Sequence, residues 1–216
     1  MGTDNIHHKR KAERLERTRK KKNVLPYILI VSEGAVTEPN YFGWYKKNCK
    51  QFINVEIFGE GKNTSSLVRE AIAIRNKIQS RENIVFDQVW CVFDKDSFTD
   101  SDYNNAFLLC GNENIQVAYS NECFELWYLL HFHYYNTGMD RQLIYTKLNE
   151  LFKERYGFKY EKNMQNIFEM LRPLQAGAIK RARSLEKNCT NIASIHNQNP
   201  STRVFKLVEE LNKYVR

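Results

Sequence analysis

Two carboxylates separated by one residue close the apolar run VWCVFDKDSF, from Val89 to Phe98. In extended chain, residues two apart point to the same side, so Asp94 and Asp96 share a face while Lys95 turns away. A third acid stands in a similar place: Glu33 follows the apolar run YILIVS and precedes Gly34. If the two runs are neighbouring strands, three carboxylates converge on one rim. Such a group is costly when partly buried unless a cation neutralises it. Ligands that are all oxygen favour Mg²⁺ or Mn²⁺ over zinc. The plainer alternative is that Asp94 and Asp96 form turns after a strand, as aspartate often does.

A further cluster lies in AYSNECFELWYLLHF, from Ala118 to Phe132. Ser120 or Asn121 suits a helix N-cap, and Glu122 suits the first turn, where the helix dipole favours an acid. Glu125 then falls on the face shared by Asn121, Tyr128 and Phe132, an acid inside an aromatic stripe. His131 falls nearer Phe124 and Trp127, about a third of a turn from Glu125, so the spacing implies no direct Glu/His pair. The alternative for His131 is a satisfied core histidine, and for Glu122 a simple helix-start acid.

The elements that must hold these residues alternate. Strands are expected at Tyr27–Val31, in FINVEIFG, in DQVWCVFDKD and in NIQVAYS. Helices are expected through EPNYFGWYKKNCK after Thr37, from Asn63, Thr64 or Ser65 onward, and around Ser101 to Cys110. This alternation points to an open α/β sheet with parallel pairings, whose ligand crevice lies at the carboxyl ends of the strands. From Asn121 onward the pattern reads as helices only, five segments ending in STRVFKLVEELNKYV. The divisions are a basic arm over 1–24, an α/β core over 25–120, and a helical extension over 121–216 that completes the same domain.

At 216 residues and 42% hydrophobic content the chain can fill a substantial core. Its net charge of +8 is concentrated: KRKAERLERTRKKK, from Lys9 to Lys22, holds nine Lys/Arg and two Glu, leaving the remainder close to neutral. A basic arm on a balanced body draws polyanions nonspecifically without making the folded surface a basic groove. A solvated, frayed helix is the alternative for the arm. The longest apolar runs fall short of the roughly 20 residues that cross a bilayer, and no secretory signal is evident, so a cytoplasmic protein without a membrane span is expected. Five cysteines without CxxC spacing read as reduced core thiols.

Four blocks, VSEGAVTEPNYF, VWCVFDKD, SNECFELWYLLHF and NPSTRVFKLVEEL, occur in an order that resembles the RloB family, proteins of bacterial restriction-associated and abortive-infection loci. The resemblance covers about residues 24 to 215. It implies kinship with the Toprim fold, in which a Glu after the first strand and a DxD after a later one form a Mg²⁺ site for phosphoryl-transfer chemistry. Carried over, Glu33 matches the first acid and Asp94 with Asp96 the DxD, as ligands of Mg²⁺ or Mn²⁺. Glu38, Ser120, Asn121, Glu125, His131 and the stretch Asn199–Thr202 match family blocks without an assigned role. The 60 residues between Glu33 and Asp94 depart from the wider Toprim pattern and require extra elements between them. Tyr41 is the nearest candidate for a topoisomerase-type nucleophile, and a helix-face aromatic is the better description.

The activity implied is metal-assisted cleavage of nucleic-acid phosphodiesters, RNA (tRNA included) or DNA, in anti-phage defence, with an ATPase as possible partner and a homo-oligomer also open. Glu33, Asp94, Asp96, Glu125 and His131 are the candidate catalytic residues. Lys95, Ser120, Asn121, Lys180, Arg181 and Arg183 are candidate nucleic-acid contacts; for the last three, in QAGAIKRARSLEK, a solvated helix face is the alternative. Two rivals stand beside this: a non-catalytic nucleic-acid- or nucleotide-binding regulator of a partner ATPase, and a phosphohydrolase of the haloacid-dehalogenase type with Asp94 as nucleophile and Asp96 as acid.

Overall fold

A computed structural model of the chain describes residues 26–49, 54–59, 64–95, 99–189 and 195–215. The basic arm lies outside the described residues, as does Asp96. The first half alternates as expected: β1 (Tyr27–Ser32), α1 (Thr37–Asn48), β2 (Asn54–Gly59), α2 (Thr64–Glu82), β3 (Gln88–Asp94), α3 (Asp100–Asn112) and β4 (Gln116–Asn121). After it come α4 (Glu125–Phe132), α5 (Arg141–Tyr156), α6 (Ile167–Leu171), α7 (Gln175–Asn188), β5 (Ser201–Thr202) and α8 (Val204–Asn212). The strand order is β2-β1-β3-β4-β5, with β5 alone antiparallel. The fold is thus α/β, a mostly parallel sheet flanked by helices.

Parallel strands covered on both faces should be apolar along their whole length rather than at alternate residues, and β1 and β3 are. Their alternate side chains divide between two cores. Ile28, Ile30, Trp90 and Val92 join a large core with α1, α4, α5, α7 and α8. Leu29, Val31, Cys91 and Phe93 join a smaller one with α2 and α3. The helical second half therefore packs on one face of the sheet. All five cysteines are buried and free. Among the described residues no helix is long and apolar enough to cross a membrane.

Three local expectations change. The second half is not helical throughout, because Ser201 and Thr202 form β5 beside the end of β4; a two-residue strand leaves no periodicity to detect. Ser120 and Asn121 are not helix caps but the last residues of β4, and α4 starts only at Glu125. The cap-type side chains are used in the sheet instead: Ser120 Oγ and Thr202 Oγ1 lie 2.9 Å apart in the interior. The segment KNMQNIFEMLRPL holds only the five-residue α6 followed by a 3₁₀ turn over Arg172–Leu174; Pro173 has no backbone N–H to continue the α-helical hydrogen bonding.

Candidate active site

β1 and β3 are hydrogen-bonded neighbours, with Ser32 opposite Val92. Glu33 and Asp94 therefore leave the sheet side by side: the Glu33 amide donates to Val92 O at 2.9 Å, and the Asp94 amide donates to Glu33 Oε2 at 3.2 Å. Two acids that the sequence did not assign to this rim complete it. Glu38 comes from the first turn of α1, and Glu125 is the first residue of α4. With Gly34, Thr37, Phe124, Arg141 and Lys162 the four acids line a cavity of about 200 Å³.

Gly34 is what lets Glu38 enter. Its amide donates to Glu38 Oε1 at 3.3 Å, and a Cβ at Gly34 would stand 2.0 Å from Glu38 Oε2. Glu125 is held from the other side, its Oε1 accepting from the hydroxyls of Tyr145 (2.8 Å) and Tyr160 (3.3 Å). Both carboxylates sit in the first turn of a helix, where the dipole favours an anion, yet only 3% of Glu38 and 2% of Glu125 is exposed.

The electrostatics follow from this crowding. Burial, reinforced by Glu125, pushes the Glu38 carboxyl up to about 7. Burial, then Glu38, Glu125 and Glu33, hold the Asp94 carboxyl well above the usual range, against the pull of Arg141. Arg141 Nη2 is 3.5 Å from Asp94 Oδ2. Asp94 Oδ1 is sealed from solvent and, among the described residues, has no hydrogen-bond partner. A buried carboxylate oxygen without a partner, walled by three more carboxylates, is the surrounding a divalent cation stabilises.

The donor set therefore fits Mg²⁺ or Mn²⁺ by chemistry: every candidate ligand is a hard oxygen. The carboxylates stand around the cavity rather than at a shared centre; among the described residues no three His, Cys, Asp or Glu side chains are grouped closely enough to hold an ion.

A family model described as RloB-like protein matches residues 28–211. The chain belongs to the RloB-like family. No curated protein and no solved structure matches it. The matched span of this RloB-like chain contains the whole acid-lined pocket and both cores.

Other residues singled out in the sequence lie elsewhere in the RloB-like fold. His131, in the last turn of α4, is not brought to the acids. It borders a second cavity with Phe132, His133, Leu151, Glu154, Arg155, Leu174 and Arg181. Its Nδ1 is 2.8 Å from Trp127 O; a carbonyl only accepts, so Nδ1 carries the proton and Nε2 is bare. Burial lowers its pKa to about 4, so the ring is neutral at neutral pH. That is the core-histidine alternative, although Nε2 has no hydrogen-bond partner.

Lys95 follows Asp94 directly; its amide donates to Ser120 O at 2.8 Å and its Nζ is 3.7 Å from Asp100 Oδ1. Asn121 is buried at the end of β4. Arg183 is paired with Glu209, whereas Lys180 and Arg181 border a further hollow with Tyr134, Gly177 and Ser184. Glu122 is tied to the late block, its Oε1 accepting from Asn199 Nδ2 at 3.2 Å, and the same amide group donates to Met139 O at 3.2 Å. Tyr41 is fully buried, accepting from Gln175 Nε2 at 3.3 Å, which suits a packing aromatic and not a nucleophile. Arg141, Lys162, Tyr145 and Tyr160 were not anticipated. A sequence signal existed only for Arg141, which opens α5 directly after the capping Asp140.

Proposed function

We propose that this RloB-like chain is a divalent-cation-dependent nuclease of the Toprim type, cleaving phosphodiesters of RNA, tRNA included, or of DNA. One observation carries this most: Glu33, Glu38, Asp94 and Glu125 line one cavity, and among the described residues one oxygen of Asp94 is buried without a hydrogen-bond partner. Asp94 and Glu33, joined by Asp96 two residues further along the chain, would hold Mg²⁺ or Mn²⁺. Bound there, the cation supplies charge stabilisation to the attacking and leaving oxygens.

The chain's own groups divide the remaining work. Glu38, resting on the Gly34 amide, accepts the proton of the attacking water. Glu125, clamped by two tyrosine hydroxyls, fixes the far wall. Arg141 and Lys162 on the rim face the nonbridging phosphate oxygens, and Arg141 exchanges its contact with Asp94 for one with substrate. The family resemblance supports the setting, an effector of anti-phage defence acting in the cytoplasm alongside an ATPase.

The test is incubation of the purified chain with labelled tRNA, single-stranded DNA and plasmid, in Mg²⁺, Mn²⁺ or EDTA. Cleavage that requires the cation and disappears in Asp94→Ala supports the assignment; cleavage that survives Asp94→Ala removes it. A second, binding-only reading draws on the Arg141 contact, a built-in cation beside Asp94. A regulator of that kind would bind nucleic acid and take up no Mn²⁺ at the pocket.

A further inference from the structure

A second cavity, distinct from the acid-lined one, lies at the opposite end of α4. It has a volume of about 310 Å³, and the adjoining hollow about 470 Å³, both within the range of sites that hold small molecules. They share one side chain, Arg181. Its Nη1 donates to the carbonyls of Leu130 (2.9 Å) and His131 (3.0 Å), the last turn of α4. Gly177 makes room for it, since a Cβ there would be 2.9 Å from Arg181 Nη1. The guanidinium is thus half-buried, fixed in place, and without a carboxylate at ion-pair distance among the described residues.

The surroundings repeat that imbalance. Arg155 borders the first cavity and Lys180 the second, and neither is ion-paired among the described residues; one acid, the exposed Glu154, stands against them. Beside the cations are flat and apolar surfaces. Phe132, Leu151 and Leu174 wall the first cavity. Tyr134 borders the second, 40% exposed, with its hydroxyl anchored by Asn188 Nδ2 at 2.8 Å. One fixed cation with two exposed ones beside it, next to an exposed, anchored aromatic ring, is the combination that binds single-stranded nucleic acid, through phosphate contacts and base stacking.

We propose that the α4–α5–α7 hollow is a single-strand binding site, with Arg155, Lys180 and Arg181 on consecutive phosphates and a base stacked on Tyr134. Six helical steps along α4 separate Glu125 in the acid pocket from His131 in this cavity, about 9 Å at the helical rise, or roughly three base steps. On the nuclease reading, which this last point alone rests on, a strand held here is presented to the acids a few nucleotides away.

The experiment is a fluorescence-anisotropy titration of the full chain with labelled 12-nucleotide single strands, one RNA and one DNA, in EDTA over a salt series. The Arg155→Gln/Lys180→Gln double variant is expected to weaken binding by ten-fold or more and to flatten the salt dependence by about 1.4 log units per log unit of salt, two contacts at ~0.7 each. Tyr134→Ala is expected to weaken binding about five-fold or more with the salt dependence unchanged. Binding that persists in EDTA, where the acid pocket holds no cation, separates this site from the nuclease. The RNA and DNA arms show which strand is preferred. Affinity and salt dependence unchanged in the double variant, with circular dichroism showing the fold intact, would overturn the proposal, because binding would then lie elsewhere. Absence of binding by the wild type would overturn it too.

Discussion

The two ends of α4 face opposite electrostatic problems. At its first turn Glu125 joins three other carboxylates around a small cavity in which one aspartate oxygen has no partner. At its last turn the carbonyls of Leu130 and His131 fix an arginine that, among the described residues, has no acid at ion-pair distance, with Arg155 and Lys180 close by. The acids arrive from the carboxyl ends of β1 and β3 and from helix N-termini, so the rigid sheet concentrates negative charge. The cations arrive from the helical half alone. The first region sets four acids against Arg141 and Lys162, the second sets Arg155, Lys180 and Arg181 against Glu154 alone, and each imbalance names the class of ligand that relieves it.

The largest expected effect breaks the comparison at the acid end. Asp94→Ala should lower cation-dependent cleavage by on the order of 10²–10³-fold, the scale of losing one preorganised electrostatic contact, as measured on labelled RNA or DNA. The Arg155→Gln/Lys180→Gln variant should in contrast keep its cation affinity while losing strand affinity. If both variants lost both properties, the two regions would be one site.

Protonation separates the regions by sign. The Glu38 carboxyl keeps its proton to about pH 7 in the fold, but releases it near 4.5 when unfolded. The metal-free native state therefore binds more protons across that window. Stability is greatest below about 4.5 and falls as pH rises toward 7, by about 3 kcal/mol from Glu38, and Asp94 acts in the same direction. His131 opposes them: its pKa falls from 6.5 to about 4 on folding, so its contribution is complete above 6.5 and is lost as pH falls toward 4. Urea unfolding in EDTA at several pH values should show the loss toward pH 7 flattened in Glu38→Gln and unchanged in variants of the cation-rich hollow.

How much of this was legible in the sequence depends on how far the signal travels along the chain. The strand-helix alternation of the first half was legible because apolar periodicity is local, and so were Glu33 and Asp94, each standing where an apolar run stops. Glu38 and Glu125 were noticed without a place, since nothing local says that the first turns of α1 and α4 meet above the sheet. Tyr145 and Tyr160 gave no signal at all: their bonds to Glu125 span 20 and 35 residues. The start of α4 was misplaced because Ser120 and Asn121 have the chemistry of helix caps, and only the pairing with Thr202 and Ser201 reveals them as strand.

Smaller effects sharpen the contrast. Tyr145→Phe removes one of two hydroxyls on Glu125 and should lower stability by about 1 kcal/mol, measured by thermal unfolding. Smallest is Gly177→Ala. Helix propensity should raise stability by up to ~1 kcal/mol, while displacement of Arg181 weakens strand binding, seen in the anisotropy titration.

The central claim, that the four-acid pocket takes a divalent cation, is tested most directly by titrating Mn²⁺ into the full chain and following the free ion by electron paramagnetic resonance. Saturable uptake by the wild type, lost in a folded Asp94→Asn variant and retained in Arg155→Gln/Lys180→Gln, is the expected result. Equal Mn²⁺ uptake by the wild type and Asp94→Asn, or none by the wild type, would contradict it.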